Sequence, residues 1–253
     1  EKNGIPGGAG NAVARVPYRD DVREFIDYLF RQCLLKQVSF EWYRETGWEE
    51  MEEELTRGVY DQLVIACGCE TDLSMLPADQ EARVIGAQDC ILHEKPAGKH
   101  IAVIGSGYKA VQTALYLQAC PDQSRERAFL ASYAPEYSGF AEDIYRKREN
   151  HVTLLAQGQR VGGGFGKSLR WLMVSDLKKS PVALVTDARV EAISEDSLSY
   201  RIGDEEYEIP CQLTVLADSW KSDPAGIKLK EACPDRVRVI GDAARPGRIS
   251  EAV

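Results

Sequence analysis

Residues 101–110 read Ile-Ala-Val-Ile-Gly-Ser-Gly-Tyr-Lys-Ala, and this stretch decides the fold. Four apolar residues make a run of the length and composition of a strand buried on both faces. Gly105 lets the chain turn sharply after the strand. Gly107, with no side chain, lets a phosphate approach the backbone. The spacing predicts a helix over 109–119, with Val111, Ala114 and Leu115 setting its faces. Its first turn would offer free N–H groups and the positive end of the helix dipole to that phosphate. Ala110 stands where the third glycine of a dinucleotide fingerprint falls, and it is still small enough for close helix–strand packing. A bare Gly-x-Gly is weak evidence, but here it follows a strand and opens a helix, which is the context the motif requires. Gly105, Ser106, Gly107, Tyr108 and Lys109 are therefore the candidate pyrophosphate-binding residues. The competing reading is a strand–turn–helix that has lost its ligand.

Downstream, 151–155 returns as a strand (His-Val-Thr-Leu-Leu) and runs into Ala156-Gln157 with no acid. A carboxylate at that point would accept from the ribose 2′-OH of NAD, whereas a cationic neighbourhood suits the extra phosphate of NADP. Arg160 and Lys167 supply such charge. Arg160 also reads as a solvated loop residue, and the choice between NADP and NAD stays open. About fifty residues separate Gly105 from this strand end, against roughly 20–30 in the usual unit, so about 120–150 is an insertion. Gly162-Gly-Gly-Phe-Gly166 is a second glycine-rich loop, followed by a helix over 168–179. Strands are expected over 182–193, over 197–210 as a hairpin turning at Gly203-Asp204, over 212–217 and over 236–240. The last ends in Gly241-Asp242, where a carboxylate could accept from flavin ribityl hydroxyls.

Upstream, 4–11 reads as a flexible glycine-rich loop. A helix running to about Gln37 carries one apolar face of Val22, Phe25, Ile26, Leu29, Phe30 and Cys33. Val38 to Arg44 alternates like a strand, 48–57 reads as an acidic helix, and 60–66 as a strand buried on both faces. The Pro/Gly-punctuated stretch 71–98 reads as a crossover between domains. Strands alternating with helices imply a mostly parallel sheet.

The composition narrows the function classes. The chain has 253 residues, 44% hydrophobic and 28% charged, with net charge −9. It carries no basic stripe of the kind nucleic acid needs and no apolar run approaching the ~20 residues that span a bilayer. No signal peptide is visible. Seven cysteines (33, 67, 69, 90, 120, 211, 233) without a C-x-x-C argue for a reducing, cytoplasmic setting. They argue against a thioredoxin-reductase-like dithiol, a zinc knuckle or a cysteine-ligated iron–sulfur cluster. His93, His100 and His151 are scattered and read as structural or exposed, with no metal site expected.

Taken in order, several pieces resemble the carboxy-terminal half of the bacterial 2,4-dienoyl-CoA reductase / NADH:flavin oxidoreductase family, which includes trimethylamine dehydrogenase. They are Glu1-Lys2, Gly7-Gly8, Tyr28-Leu29, L-V-I-A-C-G at 63–68, I-A-V-I-G-S-G at 101–107, A-L-Y-L at 114–117, G-G-G-F-G-K-S-L-R-W at 162–171, V-I-G-D-A at 239–243 and R-I-S-E-A at 248–252. The resemblance implies an α/β fold: a Rossmann-like three-layer nucleotide-binding domain inserted in a truncated FAD-binding domain. The first half of the FAD-binding domain would occupy 1–95, the NAD(P)-binding domain 96–220, and the return 221–253. It also implies a parent protein whose barrel carries FMN, an iron–sulfur cluster and the substrate site, with electrons passing from NADPH through FAD. By the same carry-over Glu1 would meet the adenosine ribose of FAD, Gly68 and its neighbours the flavin's phosphate side, Asp242 the ribityl, and Ile249 the flavin ring, with Gly8 and Gly241 as further candidate cofactor-binding residues. Gly105 to Lys109 would hold the NADPH pyrophosphate, and Arg160 and Lys167 its adenosine phosphate.

Three departures stand out. In the family the flavin fingerprint lies in a βα unit ahead of the residue matching Glu1. The family's small-residue/Gly pair after the 212–217 strand is here Asp218-Ser219, an acid that would obstruct a dinucleotide. The cluster cysteines are absent. Two functions from different classes follow: an NAD(P)H- and FAD-binding electron-transfer module, or an interaction domain with a degenerate dinucleotide fold. An unrelated α/β binder of a nucleotide sugar or methyl donor is a third.

Overall fold

The computed structural model describes residues 1–16, 19–74, 76, 84–93, 99–118 and 150–247. They belong to two compact units. One comprises Glu1–Ala14, Arg19–Asp72 and Trp220–Val253, the other Arg15–Tyr18 and Leu73–Ser219.

The first unit opens with α1 (Gly10–Val13), α2 (Asp20–Leu35), α3 (Trp48–Thr56), β1 (Leu63–Ile65) and β2 (Glu70–Thr71). The glycine-rich loop read over 4–11 thus ends in a helical turn. Of the apolar face expected on α2, Ile26 is buried, while Phe25 and Leu29 are exposed. The strand expected over 38–44 does not form. Tyr43 takes φ of +58°, and Gln37, just ahead of the stretch, +59°, left-handed values outside the β region. The alternating aromatic side chains pack locally instead: Phe40 stacks on Trp42 at 5.0 Å and Phe30 meets both edge-on. β1 is shorter than the run 60–66 and is covered on one side only: Ile65 is buried but Val64 is 55% exposed.

The second unit contains β3 (Val84–Gly86), α4 (Ala87–His93), β4 (His100–Ile104), α5 (Tyr108–Gln118), β5 (His151–Leu155), α6 (Lys167–Lys179) and β6 (Ala183–Val185), then β7 (Arg189–Ile193), β8 (Ser197–Ile202), β9 (Glu205–Pro210) and β10 (Leu213–Leu216). β3 and α4 lie inside the stretch 71–98 that the sequence suggested was a crossover. The run 182–193 is two strands, because Asp187 turns the chain at φ +56°. The hairpin at Gly203-Asp204 is as expected.

Five strands form one sheet in the order β3-β10-β4-β5-β6, and every pair is parallel. Successive side chains of a strand point to opposite faces, so β4 serves two cores at once. Ile101 and Val103 join Val111, Ala114, Leu117, Val152, Leu154 and Leu177 on the helical side. Ala102 and Ile104 join Leu155, Ile193, Leu198 and Tyr200 on the other side, which the antiparallel sheet β7-β8-β9 covers. The three layers are helices, parallel sheet and antiparallel sheet. The insertion at about 120–150 lies outside the described residues, apart from Asn150.

The first unit resumes with β11 (Trp220–Lys221), α7 (Pro224–Ala232) and β12 (Val237–Val239). β1 and β12 pair in parallel, and β11 pairs with β2 antiparallel. Leu55, Ile65, Leu229 and Val237 form its core. Helix α7 is absent from the sequence reading, although Asp223-Pro224 announces it: an Asp N-cap followed by proline in the first turn. Asp223 accepts from the Ala225 N–H at 2.8 Å, and its other oxygen accepts from the Trp48 indole N–H at 2.9 Å.

Two stability outcomes follow. Leu154→Ala opens a cavity under a fully buried side chain and should cost about 2–5 kcal/mol, read as a lower urea midpoint at unchanged slope. Asp223→Ala removes the α7 cap and the Trp48 partner. It should cost about 1–2 kcal/mol and lower the thermal midpoint by roughly 2–4 °C per kcal/mol.

Candidate functional site

β4 is followed in sequence by α5 and then by β5, its neighbour on one side, while β10 returns on its other side. The order of strands therefore reverses at β4, and in an open α/β sheet the crevice at the carboxyl ends of such a switch point takes ligands. Gly105, Ser106 and Gly107 occupy it. The Gly105 N–H bonds the Leu155 carbonyl at 3.0 Å, which ties the turn to the end of β5. Gly105 has φ +152°. A Cβ there would sit 2.8 Å from the Ala110 Cβ, the close helix–strand approach that the motif requires.

The second glycine loop packs on the first. Gly107 and Gly163 form a parallel bridge. The Tyr108 N–H bonds the Gly163 carbonyl at 2.7 Å, and the Gly162 N–H bonds the Ser106 carbonyl at 2.8 Å. The Tyr108 ring meets Phe165 edge-on at 5.8 Å. Arg170 of α6 holds the start of this loop by donating twice to the Val161 carbonyl, at 3.1 and 2.9 Å. The sequence reading missed Arg170. Its one signal is its place one turn into the helix that follows a glycine loop, where a guanidinium can reach back to a carbonyl.

The amides of the glycine turn itself are engaged. The Ser106 and Gly107 N–H groups both donate to Asp218 Oδ2, each at 2.5 Å. Two adjacent amides thus converge on one anionic oxygen at the start of an 11-residue helix, which is what a phosphate oxygen needs at such a terminus. The turn fits the pyrophosphate of a dinucleotide in its chemistry, and a carboxylate of the chain already uses it.

The other expected residues of this unit lie nearby in sequence. Lys109 is half-buried in the first turn of α5. Arg160 is exposed, five residues beyond the end of β5. Lys167 is the first residue of α6, and its side chain lies outside the described part.

In the first unit, parallel pairing of β1 with β12 brings Gly68 and Gly241-Asp242 together beyond the carboxyl ends of both strands, with the Ile240 N–H bonded to the Ile65 carbonyl at 3.0 Å. Asp242 Oδ1 accepts from the Gly247 N–H at 2.9 Å, and Oδ2 lies 3.6 Å from the Cys69 thiol. The Ser222 hydroxyl donates to the Asp242 carbonyl at 2.7 Å. Cys69 and Ser222 were not singled out from sequence, since neither belongs to a spaced motif. Burial pushes the neighbouring Cys67 thiol up from its usual range, and the carboxylates of Asp223 and Glu70 add to the shift. Glu1 accepts from the Asn3 N–H at 3.0 Å while its own carbonyl accepts from Arg44 N–H at 3.2 Å. Gly8 precedes α1 and its carbonyl accepts from Asn11 N–H at 3.0 Å. Ile249 lies outside the described residues. Among the described residues no helix is long and apolar enough to cross a membrane, and no group of three metal-ligating side chains converges.

Comparison with known proteins agrees with this architecture. The profile of the pyridine nucleotide-disulphide oxidoreductase family matches residues 30–232. A metal reductase of Desulforamulus reducens is 24% identical over 257 residues, covering all of this chain and 38% of that protein. A 2-naphthoyl-CoA reductase structure superposes with a TM-score of 0.73 at 20% identity, over 99% of this chain and 34% of that one. Histamine dehydrogenase from Rhizobium sp. 4-9 gives 0.70 at 18% identity, over 100% and 38%. The chain thus spans little more than a third of the length of these relatives. The resemblance drawn from the order of motifs holds at the level of family and fold, and the chain is a redox module of FAD/NAD(P)-binding, Rossmann-like fold. It belongs to the pyridine nucleotide-disulphide oxidoreductase family.

Proposed function

We propose that the chain is the NAD(P)H-binding domain and part of the FAD-binding domain of a flavin-dependent oxidoreductase, and that it delivers hydride from NAD(P)H to FAD. The observation that carries this reading is the Gly105–Gly107 turn at the topological switch point of the parallel sheet, ahead of an 11-residue helix. The bound cofactors supply the hydride chemistry itself. The chain's own residues bind and orient. Gly105 to Lys109 take the pyrophosphate of the nicotinamide dinucleotide, Arg160 and Lys167 the phosphate on its adenosine ribose, and Gly68, Gly241 and Asp242 the flavin chain, with Glu1, Gly8 and Ile249 completing the flavin side. The absence of a carboxylate between Leu155 and Arg160 favours NADP over NAD. The chain contains no C-x-x-C, which argues against a thioredoxin-reductase-like dithiol in the transfer. In the parent protein, a barrel domain with FMN and an iron–sulfur cluster receives the electrons.

A second reading, a domain that keeps the fold without its cofactors, is favoured by one observation: the Asp218 carboxylate lies on the amides the phosphate would use.

Calorimetric titration with NADPH, NADH and FAD in parallel decides between the two. The enzyme reading expects saturable NADPH binding, lost on Gly107→Val because the new side chain fills the phosphate approach. Binding of none of the three selects the cofactor-free reading. Arg160→Ala should weaken NADPH about tenfold, the size of one lost hydrogen bond to a charged group, and leave NADH unchanged. An equal loss for both would remove Arg160 from the 2′-phosphate site.

A further inference from the structure

We infer that the Asp218 carboxylate is a built-in stand-in for the dinucleotide pyrophosphate, closing the Gly105–Gly107 turn until nucleotide displaces it. This rests on the nicotinamide-domain reading above and adds regulation to that site.

The placement follows from the sheet. β10 runs parallel beside β4, in register from Leu213 with Ile101 to Leu216 with Ile104. The Ala217 N–H then bonds the Ile104 carbonyl at 3.0 Å, and Ala217 is fully buried. The backbone at 217 is thereby pinned to the end of β4, and residue 218 must emerge beside Gly105. Its side chain turns onto the loop, where Oδ2 takes both the Ser106 and Gly107 amides.

The carboxylate fills the space that two missing side chains leave. A Cβ on Gly105 would lie 2.7 Å from Asp218 Oδ2, and one on Gly107 would lie 2.8 Å from Oδ1. A phosphate oxygen approaching the same amides would need that volume. The two groups also carry charge of the same sign, so they exclude each other electrostatically as well as sterically.

The arrangement is reversible. Asp218 is solvent-exposed, so rotating its side chain away costs the amide contacts without disturbing the core. Only the fraction of molecules with the side chain turned out can accept nucleotide, and the apparent dissociation constant rises by the inverse of that fraction. A structural role alone, capping the first turn of α5, would give the same hydrogen bonds. The two differ in what happens when the carboxylate is removed and another anion is offered.

The test uses the full chain as wild type, Asp218→Ala, Asp218→Ser and Asp218→Asn. NADPH is titrated by calorimetry, and thermal unfolding is followed with and without inorganic pyrophosphate. The inference expects Asp218→Ala and Asp218→Ser to bind NADPH at least tenfold tighter than wild type, with Asp218→Asn between. It also expects pyrophosphate to raise the melting temperature of Asp218→Ala and not of wild type. Should the alanine variant fail to fold, the serine and asparagine variants carry both readouts. Wild type binding NADPH as tightly as the variants, with no difference in their response to pyrophosphate, overturns the inference while leaving the nicotinamide reading intact. Pyrophosphate protection of the variants without NADPH binding by any of the four proteins supports the stand-in and overturns the nicotinamide reading instead.

Discussion

The parallel pairing of β4 with β10 is the constraint on which the second unit depends. It places the carboxyl ends of two strands, distant in sequence, side by side at 104 and 216. One end carries the glycine turn and the other carries Asp218. The pairing also sets the two cores, because the side chains of β4 alternate between the helical layer and the antiparallel sheet. A slip of one residue would exchange those faces. It would also move Asp218 off the turn it now closes.

The glycine turn is held on two sides, by the end of β5 and by the second glycine loop, so its shape belongs to the fold. Gly105 hangs from the end of β5, Tyr108 from the second glycine loop, and that loop from Arg170. A preorganised turn of this kind presents amides whose orientation is already fixed, and this limits the ordering cost of binding an anion. The same preorganisation makes the position attractive to a carboxylate of the chain. Asp218 is the nearest one the topology supplies.

The first unit is built on a smaller scale. Its parallel pair β1–β12 is covered by α3 and α7, with Leu55, Ile65, Leu229 and Val237 in the core. The cap at Asp223 joins the start of α7 to the Trp48 indole of α3. The stretch 38–44 shows how local pattern yields to context. Alternating apolar residues lacked a partner ladder, Tyr43 went left-handed, and the aromatic side chains found each other.

By itself the sequence determined the elements whose causes are local. The strand–glycine–helix at 101–118 is written in four apolar residues, two glycines and a helical repeat. The hairpin at Gly203-Asp204 is written in its turn residues, and the start of α7 in Asp223-Pro224. The motif order was enough to place the family. Tertiary structure alone decided which strands neighbour which, that 84–93 joins the sheet as β3 and packs as α4, and that 38–44 is not a strand. It also decided where Asp218 goes. The sequence marks that residue as out of place in its family, but its contact with Ser106 and Gly107 spans more than a hundred residues. Such a contact follows from the sheet order, which no local pattern encodes.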